Sequence, residues 1–304
     1  MLQGESKSIR WQLMKCLEQE QVIQWQGSAN CTSQIQSQLA PLNDYLQSTK
    51  VLDSVTVIIP THRQIPKGLT AFTKQCAHVW ILQNGSLQLP NVPNTKIFQV
   101  PFLGHGQIRQ HMISQIETPF VFFSVDDAIP MGNMLALLVA QMDADSNEQK
   151  WDALIARQIP YPIADRFTQD QLALWTPFAK QPYPVLQSDH VGTLYRVADL
   201  RNAPLPNVPT AEDAWWSLGK KVGCVPQAVI VHSHPRHSKE LVLREWSIHQ
   251  ELSKMGRDCG IDLKAVAMGL IANTQKYGLR EGLRSTVQNV ARFAAHKVPR
   301  QPKP

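Results

Sequence analysis

The run Phe120-Val121-Phe122-Phe123-Ser124-Val125, closed by Asp126-Asp127, restricts the fold of this chain more than any other feature. Its β-branched and aromatic residues leave no polar face to turn to water, so the run reads as a strand inside a covered sheet that delivers two carboxylates at its C-terminal end. Val55-Thr56-Val57-Ile58-Ile59 is a second buried strand, ended by Pro60-Thr61-His62-Arg63. Between the two, residues 67–76 read as a helix and residues 79–82 as a strand stopped by Asn84-Gly85-Ser86. Residues 96–100 read as a short strand and residues 106–115 as a helix. Strand, helix, strand in succession is a parallel crossover, so the expected class is α/β with a mostly parallel sheet flanked by helices. Pro130 is expected to open a helix running to about Met142. Ligands of open α/β sheets sit beyond the carboxyl ends of the strands, so the loops after Ile59, Leu82 and Val125 should share one site.

The second half changes character. Short strands at residues 153–157 and 192–196 alternate with proline-rich loops between residues 158 and 209, long enough to read as walls or lids of a site. A helix over residues 215–221, a final strand over 228–232 and helices over about 238–255 and 262–296 complete the chain. Three regions follow: an N-terminal helical extension over 1–50, a main domain over 51–256 and a basic helical tail over 257–304. With 304 residues, 43% of them hydrophobic, the chain can bury a substantial core. Its five cysteines are scattered and odd in number, which fits reduced thiols better than a disulfide framework. The longest apolar runs fall far short of the roughly 20 residues that span a bilayer, and the Gln-rich start has no signal-peptide core. The expected location is cytoplasmic.

Glu212-Asp213 stands before the aromatic-rich Ala214-Trp215-Trp216, and His232-Ser233-His234 closes an apolar strand. A carboxylate there can act as a general base, and histidines alternating along a strand face one way and can ligate a metal. Each element also has a plainer reading. Glu212-Asp213 with Thr210 suits a helix N-cap, Asp126-Asp127 suits a turn, and isolated histidines often only pack. Trp215 and Trp216 read as core or pocket wall, and His105 and His111 as structural.

Taken in order, Val57-Ile58-Ile59-Pro60-Thr61-His62-Arg63, Gln83-Asn84-Gly85-Ser86, Gly106 to Gln110, Val125-Asp126-Asp127-Ala128-Ile129-Pro130, Glu212-Asp213 and His232-Ser233-His234 resemble the motifs of family 2 glycosyltransferases of GT-A fold, bacterial inverting type. The segment 232–256 is similar to rhamnosyltransferase-like members, and the resemblance spans about residues 55–256. It implies a nucleotide-diphosphate sugar as donor, met by Pro60, Thr61, Arg63, Gln83, Asn84, Arg109 and Asp126. It implies Mn²⁺ or Mg²⁺ on Asp127 and His234, with Asp213 as the base that takes the acceptor hydroxyl's proton. Glu212 and Trp215 fall on the acceptor side, where a saccharide or lipid-linked acceptor of surface polysaccharide assembly is expected. The chain departs from the pattern twice. Gln83 stands where a base-binding Asp is usual, and Val125 stands where the metal motif usually has its first Asp.

Other functions have weaker support. A nucleotide-sugar-binding scaffold without turnover would accommodate Val125 and Gln83. Nucleotidyl transfer would want a Gly-rich loop after the first strand, and Pro60-Thr61-His62-Arg63-Gln64 has no glycine. A retaining mechanism would not need Asp213. The net charge of +6 favours anionic partners, but the basic residues collect in the tail without interleaved aromatics, so nucleic acid is not expected. Leu279, Leu283, Val287, Val290 and Ala294 recur at helical spacing among Lys276, Arg280, Arg284, Arg292, Lys297, Arg300 and Lys303. A basic amphipathic helix of this kind fits peripheral contact with an anionic membrane.

Overall fold

The structure, a computed structural model, describes residues 51–62, 64–86, 88–101, 103–144, 150–160, 175–177, 179–208, 210–232, 250–254 and 263–279, together with 172, 247, 248 and 283. The expected N-terminal helices, Arg63, His234 and most of the basic tail lie outside the described residues.

The apolar runs become strands of one mixed sheet. In chain order these are β1 (Leu52–Thr61), β2 (Cys76–Gln83), β3 (Thr95–Gln99), β4 (Phe120–Ser124), β5 (Ile129–Pro130), β6 (Ala153–Ile159), β7 (Tyr183–Val185), β8 (Gly192–Arg196) and β9 (Val222–Val231). Their spatial order is β3-β2-β1-β4-β8-β6-β9-β5, with β7 also paired to β9. β3, β2, β1 and β4 run parallel. β8 is antiparallel to both β4 and β6, which turns β6 and its parallel partner β9 back to the direction of β4. Six strands therefore share one direction, and β5, β7 and β8 oppose it. The α/β class expected from the sequence is the class observed.

Alternation along the strands sets the layers. Val55, Val57 and Ile59 of β1 and Phe120 and Phe122 of β4 face the side covered by α1 (Leu69–Thr73) and α3 (Met134–Asp143). Ile58, Val121 and Phe123 face the other side, covered by α2 (His105–Gln110), a 3-10 turn at Ile113–Gln115, α4 (Val197–Asn202) and α5 (Glu212–Trp216). With both faces covered, the central strands can be apolar throughout, each fully buried large side chain contributing roughly 1.5–3 kcal/mol.

Several boundaries differ from expectation. Pro130 does not open a helix; Ile129–Pro130 pairs antiparallel with Val231 and Ile230 at the sheet edge, where a missing N–H is tolerated, and α3 begins only at Met134. The helix expected over 215–221 is α5, which begins earlier and stops at Trp216, because Ser217 turns back on Asp213 and Gly219 takes φ +72°. The expected helix over 106–115 is broken into α2 and the 3-10 turn. The last strand begins at Val222 rather than at 228. In the tail, α6 (Leu263–Tyr277) leaves Met268 and Ile271 exposed. No helix among the described residues is long and apolar enough to cross a membrane.

Candidate active site

The three loops at the carboxyl ends of β1, β2 and β4 are knitted together. Asp126 accepts from the Thr61 hydroxyl at 3.0 Å on Oδ2 and from the Gln64 amide at 2.8 Å on Oδ1, and its carbonyl accepts from Lys67 N. Asn84 N donates to Thr61 O, and His62 Nδ1 donates to the Asn84 carbonyl at 2.7 Å. Half-buried Pro60 is in register with Leu82 in the β1–β2 ladder. Gln83 is buried, its amide donating to Gly85 O across a turn in which Gly85 takes φ +123°, a backbone state glycine adopts without penalty. The expected donor residues Thr61, Gln83, Asn84 and Asp126 thus line adjoining loops.

Asp127, the next residue, is buried, and its Oδ1 lies 3.4 Å from His232 Nε2. His232 sits one residue past β9, its N–H held by Ile159 O. Its Nδ1 is 3.3 Å from Gln158 Oε1, and Gln158 Nε2 donates to Asp189 Oδ2 at 2.7 Å. Val125 is half-buried against the larger core, a place suited to an apolar side chain and costly for a carboxylate. Among the described residues no group of three or more His, Cys, Asp or Glu side chains gathers as a metal cage. A carboxylate and an imidazole still fit a divalent cation that draws its other ligands from water and phosphate oxygens, as Mg²⁺ does in phosphate sites.

The third cluster surrounds α5. Ala211 precedes it in the left-handed region at φ +59°, a state that costs an L-residue roughly 1–2 kcal/mol, and neither it nor Thr210 caps the helix with a side chain. The helix start is therefore imposed by tertiary contacts. Glu212 points inward and accepts from His190 Nδ1 at 2.9 Å, with Arg109 Nη1 3.8 Å away. Gly106 lets it lie there, since a Cβ at that position would meet Glu212 Cγ at 2.7 Å. Burial opposes ionisation of Glu212, but the hydrogen bond and charge of His190, followed by Arg109, outweigh it and hold the carboxyl down at about 2. Arg109 is 1% exposed and donates to Ser124 O, its basicity lowered by burial and supported by the Glu212 charge. Arg109 and Glu212, expected to meet donor and acceptor, occupy a buried layer beneath the loops.

Asp213 is half-buried, with Oδ1 accepting from Ala214 N at 2.8 Å. Burial pushes its carboxyl up to about 6; the His190 charge opposes that rise, and the Glu212 and Asp189 carboxylates add to it. Its carbonyl accepts from the Ser217 and Ser188 hydroxyls. Two residues on, the half-buried Trp215 keeps its indole Nε1 buried with no partner among the described residues.

Ser188-Asp189-His190 thus links two parts of the site, the cluster around α5 and the Gln158–His232 side. Ser188 holds the Asp213 backbone, Asp189 holds Gln158, and His190 holds Glu212. Sequence reasoning left Asp189 and His190 without a role and passed over Gln158 and Gln64. No spacing signal marks them, since their side-chain partners in the site are 22 to 74 residues away. His232 stood beside the expected ligand His234 in the motif and carried the alternation signal.

No family model and no curated protein matches the sequence. Among solved structures, the chain is similar to a mannosyltransferase from Pyrobaculum calidifontis in complex with GDP-Man and Mn²⁺, at 16% identity over 85% of this chain and 79% of that one, with a TM-score of 0.49. It is similar to GalNAc-T7 with UDP, GalNAc and Mn²⁺, at 12% identity over 84% of this chain and 60% of that one, with a TM-score of 0.46. It is also similar to S. aureus TarS 1-349 in complex with UDP-GlcNAc, at 13% identity over 79% and 92% of the two chains, with a TM-score of 0.42.

Proposed function

We propose that this chain is an inverting glycosyltransferase that moves a sugar from a nucleotide-diphosphate donor to a hydroxyl acceptor. The observation that carries the reading is Asp213. It is a half-buried carboxylate raised to about 6, on a helix tied through Ser188, Asp189 and His190 to the Asp127–His232 pair. A base whose pKa lies just below neutral pH is ionised in use yet still basic enough to take a proton in the transition state.

The acceptor oxygen forms its bond to the anomeric carbon as the bond from that carbon to the diphosphate oxygen breaks. The acceptor's proton passes to an Asp213 carboxylate oxygen, and the nucleoside diphosphate leaves with the electron pair. Thr61, Gln64 and Asn84 keep the donor loops in one conformation, so a bound donor meets preformed walls. Asp127 and His232 would hold the divalent cation, with His234 a further candidate from the motif. When bound, that cation supplies neutralisation of the charge developing on the diphosphate.

The test is a panel of nucleotide sugars scored by thermal stabilisation and by release of nucleoside diphosphate, with and without Mn²⁺. One donor is expected to stabilise the chain by about 2.7 kcal/mol at a concentration 100 times its Kd, and to do so only with metal. Stabilisation without turnover on any hydroxyl acceptor would leave a nucleotide-sugar-binding protein, to which Val125 in the metal motif is well suited. No stabilisation by any donor would end the reading.

A role in surface polysaccharide assembly, with a saccharide or lipid-linked acceptor, is the setting we propose, and the tail supports it. Exposed Met268, Ile271, Leu279 and Leu283 lie in the basic C-terminal region. Each basic residue near an anionic surface contributes about 1 kcal/mol. The chain should co-sediment with phosphatidylglycerol vesicles, release at high salt, and ignore phosphatidylcholine; equal binding to both lipids would remove the membrane contact.

A further inference from the structure

The buried polar groups behind His232 can be given donor and acceptor roles without seeing a hydrogen. The Asp189 carboxylate only accepts, so the Gln158 group facing its Oδ2 at 2.7 Å must be the amide nitrogen. That assignment turns Gln158 Oε1 towards His232 Nδ1, 3.3 Å away. An amide oxygen also only accepts, so Nδ1 must carry the proton. In the neutral ring Nε2 then presents a lone pair, and the atom it faces at 3.4 Å is another acceptor, Asp127 Oδ1. Two lone pairs directed at one another repel unless a proton or a metal cation lies between them.

We infer that Asp189 and Gln158 form a positioning relay that fixes His232 with Nε2 turned on Asp127, preparing the pair to take a divalent cation. The inference rests on the reading that this pair is the cation site. Neither relay residue touches the cation or the substrate, so both act through His232.

The relay is itself held firmly. Asp189 Oδ1 accepts from Val191 N at 3.0 Å, which leaves Oδ2 for Gln158, and the Asp189 backbone is bound at both N and O by Thr193 Oγ1. Gln158 is 4% exposed, with its N–H donating to Thr176 Oγ1 and its carbonyl accepting from it. Gln158 is also in register with Ile230 in the β6–β9 ladder, two residues before His232. The amide therefore has one orientation available, and the carboxylate chooses which.

The same logic predicts what a single atom does. In Asp189→Asn, Oδ1 can still cap Val191 N, but Nδ2 now faces Gln158 as a donor. The Gln158 amide turns over, its nitrogen faces His232 Nδ1, and the imidazole proton moves to Nε2. A protonated Nε2 cannot ligate. Mn²⁺ affinity is expected to fall about 10–100-fold, the usual effect of losing an orienting partner of a ligating histidine.

The experiment is long-range ¹H–¹⁵N NMR of the full chain, about two pH units above the ordinary imidazole pKa, with the His232 signals identified by their loss in His232→Gln. The native chain should show the Nδ1–H tautomer, with Nε2 broadened by added Mn²⁺; Asp189→Asn should show the Nε2–H tautomer and weaker Mn²⁺ binding by electron paramagnetic resonance. A native Nε2–H tautomer overturns the relay. So does a native tautomer retained in both Asp189→Asn and Gln158→Leu, the second variant covering poor folding of the first. Failure of the underlying reading looks different: the tautomer is as inferred, but Mn²⁺ leaves Nε2 unbroadened and binds Asp127→Asn as it binds the native chain.

Discussion

Asp213→Asn is expected to lower kcat by about 10²–10⁴-fold, the usual contribution of a positioned general base, while leaving stabilisation by the donor unchanged. The substitution keeps the shape of the side chain and an Oδ1 able to accept from Ala214 N, so the start of α5 survives. What it removes is the negative charge: an amide is too weakly basic to receive the acceptor's proton. The pH profile adds a second signature. With Asp213 raised to about 6, native kcat/KM should fall tenfold per pH unit below that value, whereas the residual rate of the variant should be flat there. Stability follows the same group. A raised carboxyl favours the folded state when protonated, so its contribution is present below the ordinary value of 3.8 and lost as pH rises through about 6. The variant should lack that loss. Full turnover in Asp213→Asn would remove the residue from the mechanism.

Glu212→Gln is expected to destabilise the fold by about 3–5 kcal/mol, the usual cost of breaking a buried ion pair by removing one of its charges. Gln can still accept from His190 Nδ1, so the loss falls on Arg109, whose guanidinium is 1% exposed and 3.8 Å from the Glu212 carboxylate. A urea midpoint measured at neutral pH reads it. The acid limb should change as well. The Glu212 carboxyl is held down at about 2, so its stabilisation is present above the ordinary 4.5 and is lost as pH falls towards 2. The Gln variant should lack that decline. Because the Glu212 charge also helps to raise Asp213, the acid limb of the rate profile should move to lower pH in the variant. A loss of stability under about 1 kcal/mol would show that Arg109 is satisfied by other groups.

Much of the architecture was legible before any coordinates. Val55 to Ile59 and Phe120 to Ser124 are strands because no polar face could be left to water, and the residues after them form adjoining loops because parallel strands end together. Boundaries were read less well. Pro130 looked like a helix opener by local preference, and only the pairing with Ile230 makes it an edge strand. Trp215 looked like the start of a helix, but Glu212 and Asp213 already lie inside it, one face buried and the other bearing the proposed base.

The candidate site divides in the same way. Asp126, Asp127, Asp213 and the His-x-His motif were visible because each closes or opens an element whose period is local. The roles of Arg109, Gln158, Asp189 and His190 were not, because those roles are set by partners far along the chain: Gln158 meets His232 across 74 residues and His190 meets Glu212 across 22. Apolar periodicity by itself determined the α/β class and which loops would gather, since burial of a strand depends on its own residues. Which carboxylate would be raised, which held low, and which imidazole nitrogen would face Asp127 were decided only in the tertiary structure. Desolvation, charge and hydrogen-bond direction are properties of neighbours in space, and sequence order does not record them.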